Sequence, residues 1–94
     1  MELNTAFGLA LKLIRKQKGF TQEDFSYVSS RTYISSLERG TKGPTIEKLE
    51  QLAGVLGVHP STLLTAAYLQ KDSAPDRNEL IKRIDAELQG LEEV

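Results

Sequence analysis

The stretch Thr21-Gln22-Glu23-Asp24-Phe25-Ser26-Tyr27-Val28-Ser29-Ser30-Arg31-Thr32-Tyr33-Ile34-Ser35-Ser36-Leu37-Glu38-Arg39-Gly40 contains two helix starts and one helix stop. Thr21 is a good N-cap, and Asp24 three residues on is a short form of the capping box. Together they predict a brief helix to about Val28. Ser29-Ser30 then read as a turn, and Ser30 caps a further helix, Arg31 to Arg39, which Gly40 ends. On that helix Ile34 and Leu37, spaced i, i+3, supply an apolar back. Arg31, Thr32, Ser35, Ser36 and Arg39 occupy much of the rest of its surface.

Working outward, the period stays helical on both sides. Towards the N-terminus, Phe7, Ala10, Leu11 and Ile14 share one face of a helix over about Thr5 to Lys18, which Gly19 stops. Towards the C-terminus, the polar loop Thr41-Lys42-Gly43-Pro44 leads to Thr45, the cap of a fourth helix. That helix carries Ile46, Leu49, Leu52, Ala53 and Leu56 and ends at Gly57. Pro60 suits the first position of a fifth helix bearing Leu63, Leu64, Ala67 and Tyr68. Asp72-Ser73-Ala74-Pro75 reads as a linker. A last helix, about Asp76 to Leu91, shows Leu80, Ile81, Ile84, Leu88 and Leu91 as a stripe. Strand signal is poor throughout. The expected architecture is all-α: a compact domain over residues 1–71, with a linker and an amphipathic helix over 72–94.

Composition narrows the chemistry. The 94 residues suit one small domain with a single core built mainly from Leu, Ile, Val and Ala, since there are six aromatics and no Trp. With no Cys and one His, His59, neither a disulfide framework, a thiolate metal site nor a His-pair zinc site is expected, and no metal or cofactor is implied. No Gly-rich phosphate loop, paired-carboxylate motif or nucleophile elbow is present, so the expectation is a protein that is not an enzyme. The apolar run near the N-terminus is broken by Lys12 and Arg15, which fits neither a signal peptide nor a membrane span. The cytoplasm is the expected compartment, with no membrane partner. Net charge is −1, yet residues 1–43 carry seven bases against four acids (+3) and residues 44–94 five against nine (−4). Such polarity suits a nucleic-acid face at one end.

Two short helices joined by a tight turn, the second opening on polar side chains, meet the requirement for reading a DNA groove. Arg can bond guanine bidentately, and Thr can offer a hydroxyl or a methyl to a base edge. Taken by itself, the Arg31–Arg39 helix reads first as an ordinary amphipathic helix with a solvated face.

A longer constellation separates these readings. Leu11-x-x-Ile14-Arg15-x-x-x-Gly19-Phe20-Thr21-Gln22-Glu23-Asp24-Phe25 is followed by Tyr33-Ile34-Ser35-x-Leu37-Glu38-Arg39-Gly40-x-x-x-Pro44-Thr45. Leu49-x-x-Leu52-Ala53-x-x-Leu56-Gly57-Val58 and Leu63-Leu64 complete it. Over about residues 8 to 66 this order and spacing resembles the Cro/C1-type helix-turn-helix family, also called the XRE family. The resemblance implies a five-helix lambda-repressor-like DNA-binding domain, here with an additional C-terminal helix, acting on double-stranded DNA and usually dimeric. By position it implies that Gln22, Arg31, Thr32 and Ser36 approach base edges, joined by Ser35 on the same helix. Thr21, Ser30, Tyr33, Arg39, Thr41 and Lys42 are expected near phosphates. Arg15 and Glu38 match a structural pair that bridges the first helix to the end of the third.

The chain departs from the family in the turn. From Gln22 to Ile34 it is about two residues shorter than the common spacing, Ser26 replaces the usual Ala, and Ser29 stands where the turn Gly is missing. A turn needs no Gly if its residues keep negative φ, and the shortening leaves room for a changed angle between the two helices. His59, where the family often has Ser, reads as a surface or capping residue, and Glu92-Glu93 as a solvated tail. The stripe Leu80, Ile84, Leu88 and Leu91 is close to a coiled-coil seam; it can fold back on its own domain as core or pair with a second chain, and dimerisation is the favoured expectation. Three functions fit: a transcriptional regulator binding a palindromic operator as a homodimer; an antitoxin with a toxin partner or a restriction–modification controller; and an interaction adaptor that has kept only the fold.

Overall fold

The computed structural model of the chain describes residues 1–72 and 76–92, so the expected linker residues Ser73, Ala74 and Pro75 and the acidic Glu93 lie outside the described residues. Among the described residues there are five α-helices, one 3-10 turn and no strand. Helix α1 (Leu3–Gln17) buries Ala6, Phe7, Ala10 and Leu11, with Arg15 one turn beyond Leu11 on the same face.

The ends of α1 and of helix α2 (Arg31–Glu38) are made alike. After α2, Gly40 takes φ +77°, donating its N–H to the Leu37 carbonyl, while Thr41 donates to that of Ser36. This paired arrangement satisfies carbonyls that a helix end otherwise leaves unpaired. Gly8 has a different purpose. A Cβ on it would sit 2.6 Å from the Glu38 carbonyl oxygen and closer still to that of Leu37, so α1 crosses the last turn of α2 in direct backbone contact.

The expected helix from Gln22 to Val28 is a single 3-10 turn, Gln22–Phe25, followed by turns closed by Val28 and Ser29 N–H bonds to the Phe25 carbonyl. This corrects the sequence reading, and the reason is length. A 3-10 segment rises about 2.0 Å per residue against about 1.5 Å for an α-helix, so fewer residues bridge the same gap. Fully buried Phe25 anchors the turn in the core. No non-Gly residue among those described has positive φ, so the serines replace the missing glycine without strain. Thr21 N–H donates to Asp24 Oδ2 at 2.6 Å and the Asp24 N–H turns back onto Thr21, so the expected capping box is formed.

Helices α3 (Ile46–Leu56) and α4 (Pro60–Lys71) close the core. Thr45 Oγ1 accepts the Lys48 N–H, and His59 Nδ1 accepts that of Ser61, so the histidine is a cap. The core joins Phe7, Ala10, Leu11, Phe25, Ile34, Leu37, Leu52, Ala53, Leu56, Leu63 and Ala67, with α1 packed most extensively on α4. Ile46, expected on the core face, is 86% exposed because it is the first residue of α3 and overhangs the core. Leu64 and Tyr68 are exposed too, unlike Leu63. Helix α5 (Arg77–Glu92) is capped by Asp76, whose Oδ1 accepts the Glu79 N–H, and has no buried residue.

Candidate nucleic-acid interface

Everything at the interface depends on where α2 starts and what holds its far end. At the start, Ser30 Oγ accepts the Tyr33 N–H at 3.1 Å, so this hydroxyl is occupied in capping. Arg31 and Thr32 emerge exposed from the first turn. Gln22, Arg31, Thr32, Ser35 and Arg39 line one shallow polar depression. A second depression, sharing Gln22 and Arg31, adds Arg15, Thr21 and Glu23.

Four of the five residues expected to meet bases are therefore brought together: Gln22, Arg31, Thr32 and Ser35. Ser36 is not. It is 7% exposed, its hydroxyl donates to the Thr32 carbonyl at 3.0 Å, and its Oγ accepts from Arg39 Nη2 at 3.4 Å. A small hydroxyl can satisfy itself on the carbonyl one turn back, and this lets a serine lie under the helix surface rather than on it.

The residues expected near phosphate are more scattered in their local roles. Thr21 and Thr41 are exposed, with hydroxyls donating to Asp24 Oδ2 and to the Ser36 carbonyl. Tyr33 is half-buried against the core, with the Lys42 and Lys48 ammonium groups each 5.8 Å from its ring centroid. Lys42 and Arg39 are exposed cations beside the depression's helix.

The far end of α2 is held by charge. Arg15 Nε donates to Glu38 Oε2 at 2.6 Å and Nη2 to Oε1 at 2.9 Å, a bidentate pair with side chains only 11% and 4% exposed. Arg15 Nη1 also donates to the Phe20 carbonyl at 3.0 Å, and Gln22 Nε2 to Glu38 Oε1 at 3.1 Å. The bond to Glu38 holds the Arg15 guanidinium above its ordinary pKa, although desolvation opposes this. One buried carboxylate thus ties α1, the 3-10 turn and α2 together.

Sequence reasoning missed three features. Glu23 Oε1 accepts from Arg31 Nη1 at 3.2 Å, Lys48 Nζ donates to the Val28 carbonyl, and Gln22 bonds Glu38. Partners 8, 20 and 16 residues apart in sequence share no helical period, so no spacing signal could announce them.

The helix-turn-helix family profile matches residues 11–63. The chain is 40% identical over 67 residues to the uncharacterized HTH-type transcriptional regulator y4dJ of Sinorhizobium fredii (strain NBRC 101917 / NGR234), covering 69% of this chain and 87% of that protein. It is 38% identical over 61 residues to the control protein C.BamHI of Bacillus amyloliquefaciens, covering 62% and 75%. Two crystal structures of the clp gene regulator ClgR from Corynebacterium glutamicum are similar to it. One has a TM-score of 0.67 at 33% identity, covering 72% of this chain and 91% of that one. The other has 0.69 at 26% identity, covering 97% and 90%.

Proposed function

The chain belongs to the Cro/C1-type helix-turn-helix family and is a DNA-binding transcriptional regulator, and from this we propose that it works in the cytoplasm as a homodimer on a palindromic operator, without catalysis. In this reading α2 enters the major groove, with Arg31 on a guanine, and Thr32 and Ser35 against neighbouring base edges. Thr21, Ser30, Arg39, Thr41 and Lys42 flank these residues and lie towards the phosphates, with the half-buried Tyr33 between them.

The observation that carries the reading is the shallow depression lined by Gln22, Arg31, Thr32, Ser35 and Arg39, which runs along one side of α2 and is braced by the Arg15–Glu38 pair. Selection of bound sequences from random DNA tests it. A motif with two inverted half-sites about one helical turn apart is expected. Binding without any preferred sequence would sink it.

Pairing is proposed to run through α5. Among the described residues Ile81, Ile84, Leu88 and Leu91 are exposed, while Leu80 is half-covered. Their 3, 4, 3 spacing follows the heptad more closely than a seam through Leu80. The similarity to C.BamHI favours a second reading within the same mechanism, a controller of a restriction–modification system. A restriction enzyme encoded beside the gene, with the selected motif in their shared promoter, would support it.

A further inference from the structure

Among the described residues, Glu23 is the one carboxylate that lines either depression, an acid on a surface proposed to meet a polyanion. Stability does not account for it. Its bond to Arg31 joins side chains 73% and 71% exposed, and pairs so open to water contribute little. What the bond fixes is orientation. A guanidinium carries five N–H donors, and Glu23 Oε1 takes one of them, from Arg31 Nη1 at 3.2 Å. The other edge, Nε with Nη2, enters no hydrogen bond among the described residues. Its two N–H groups form a fork that matches the O6 and N7 acceptors of guanine.

Resting on the reading that Arg31 meets a guanine, we propose that Glu23 is a positioning residue that trades affinity for specificity. It holds Arg31 by one nitrogen, leaves the Nε–Nη2 edge for a base, and keeps phosphate away from the same arginine. An arginine gives up rotamer freedom when it docks, and one already held gives up less. Once DNA covers the depression and displaces water, the bond to Glu23 strengthens, because the local dielectric falls. A phosphate gains nothing from this arrangement. Its oxygens accept from a guanidinium in many orientations, and its charge is repelled by the carboxylate beside Arg31. A guanine edge carries no net charge and demands one orientation. The same side chain therefore raises preference for the base and lowers attraction to the backbone.

The test compares the full chain with Glu23→Gln, Arg31→Ala and the double variant. Each is put through sequence selection, then titrated at several salt concentrations against the selected site and a scrambled duplex. Both positions lie largely in water, so all three variants should fold and melt as the wild type does. Glu23→Gln keeps the size and removes the charge. It should lower the preference for guanine at one position of each half-site by roughly two- to five-fold. Binding to the scrambled duplex should tighten by roughly the same factor, with a salt slope steeper by about one as Arg31 becomes free for phosphate. In the Arg31→Ala background, Glu23→Gln should leave the base preference as it finds it. A Glu23→Gln variant that keeps the full guanine preference overturns the inference. So does one that tightens every duplex alike, which is charge repulsion alone, or one whose change of preference persists without Arg31. A wild-type chain that selects no motif, or a motif unchanged in Arg31→Ala, defeats the underlying reading and the inference with it. A guanine that depends on Arg31 and not on Glu23 defeats the inference alone.

Discussion

In the proposed reading Arg31 has most to exchange on meeting DNA. Free, it bonds Glu23 with both side chains largely in water, an arrangement that contributes less than about 1 kcal/mol. Bidentate contact with guanine is worth more, so Arg31→Ala should lose about 1–3 kcal/mol on the selected site and relax preference at one base pair. Lys42→Ala should instead weaken all sequences alike and lower the salt slope by about one, because counterion release is blind to sequence. Titrations at several salt concentrations check both, and an unchanged motif in Arg31→Ala would remove Arg31 from the base-reading set. The Arg15–Glu38 pair behaves differently, being buried. Removing either partner strands the other charge at a cost of about 3–5 kcal/mol, and the double change should cost less than the sum of the singles. Thermal unfolding of the cycle measures the coupling; strict additivity would mean that the two do not interact. That pair was legible because the resemblance supplied both positions. The burial of Ser36 was not, since a helical wheel counts polarity and cannot know that a serine will bond the carbonyl behind it.

Among the elements, the contact between α1 and α2 sets the angle at which the reading helix is presented. Gly8→Ala should therefore reverse the usual rule. In an ordinary helix interior that change gains roughly 0.5–1 kcal/mol. Here a Cβ would press on two carbonyl oxygens of α2, and overpacking of this kind typically costs about 1–3 kcal/mol. A lowered melting temperature together with weaker DNA binding is expected, and a stabilised variant would show that the crossing can open without consequence. Helix positions and stops were readable in the sequence almost throughout, because caps and glycines are local signals. The collapse of the segment after Thr21 into one 3-10 turn was not. Its short spacing was visible, but whether the shortage would be met by a tighter helix or by a tilted one depends on the depth at which Phe25 is anchored. Ile46 misled for a similar reason: periodicity gives direction around an axis, not how far the core extends along it.

At the scale of the molecule, the described residues divide into a head with all of their fully buried side chains and an α5 with none. Truncation after Lys71 should leave a folded head that binds DNA more weakly and sediments as a monomer, where the intact chain sediments as a dimer. A dimeric truncation would move the pairing surface to exposed groups on the head, such as Leu64 and Tyr68. The proposed polarity is consistent with the charges, the +3 half facing phosphates and the −4 half turned away. The absence of any buried residue in α5 has a further consequence. A helix of sixteen residues is marginal alone in water, so its coil-to-helix equilibrium and the proposed pairing become one process. Ellipticity of the intact chain should then rise on concentrating the sample, while that of the truncation stays flat. Under that proposal such a device would gauge its own copy number in a cell: scarce molecules would stay single and loosely wound at the tail. Abundant ones would zip together, and occupancy of the operator would climb with the square of the dose rather than in proportion to it.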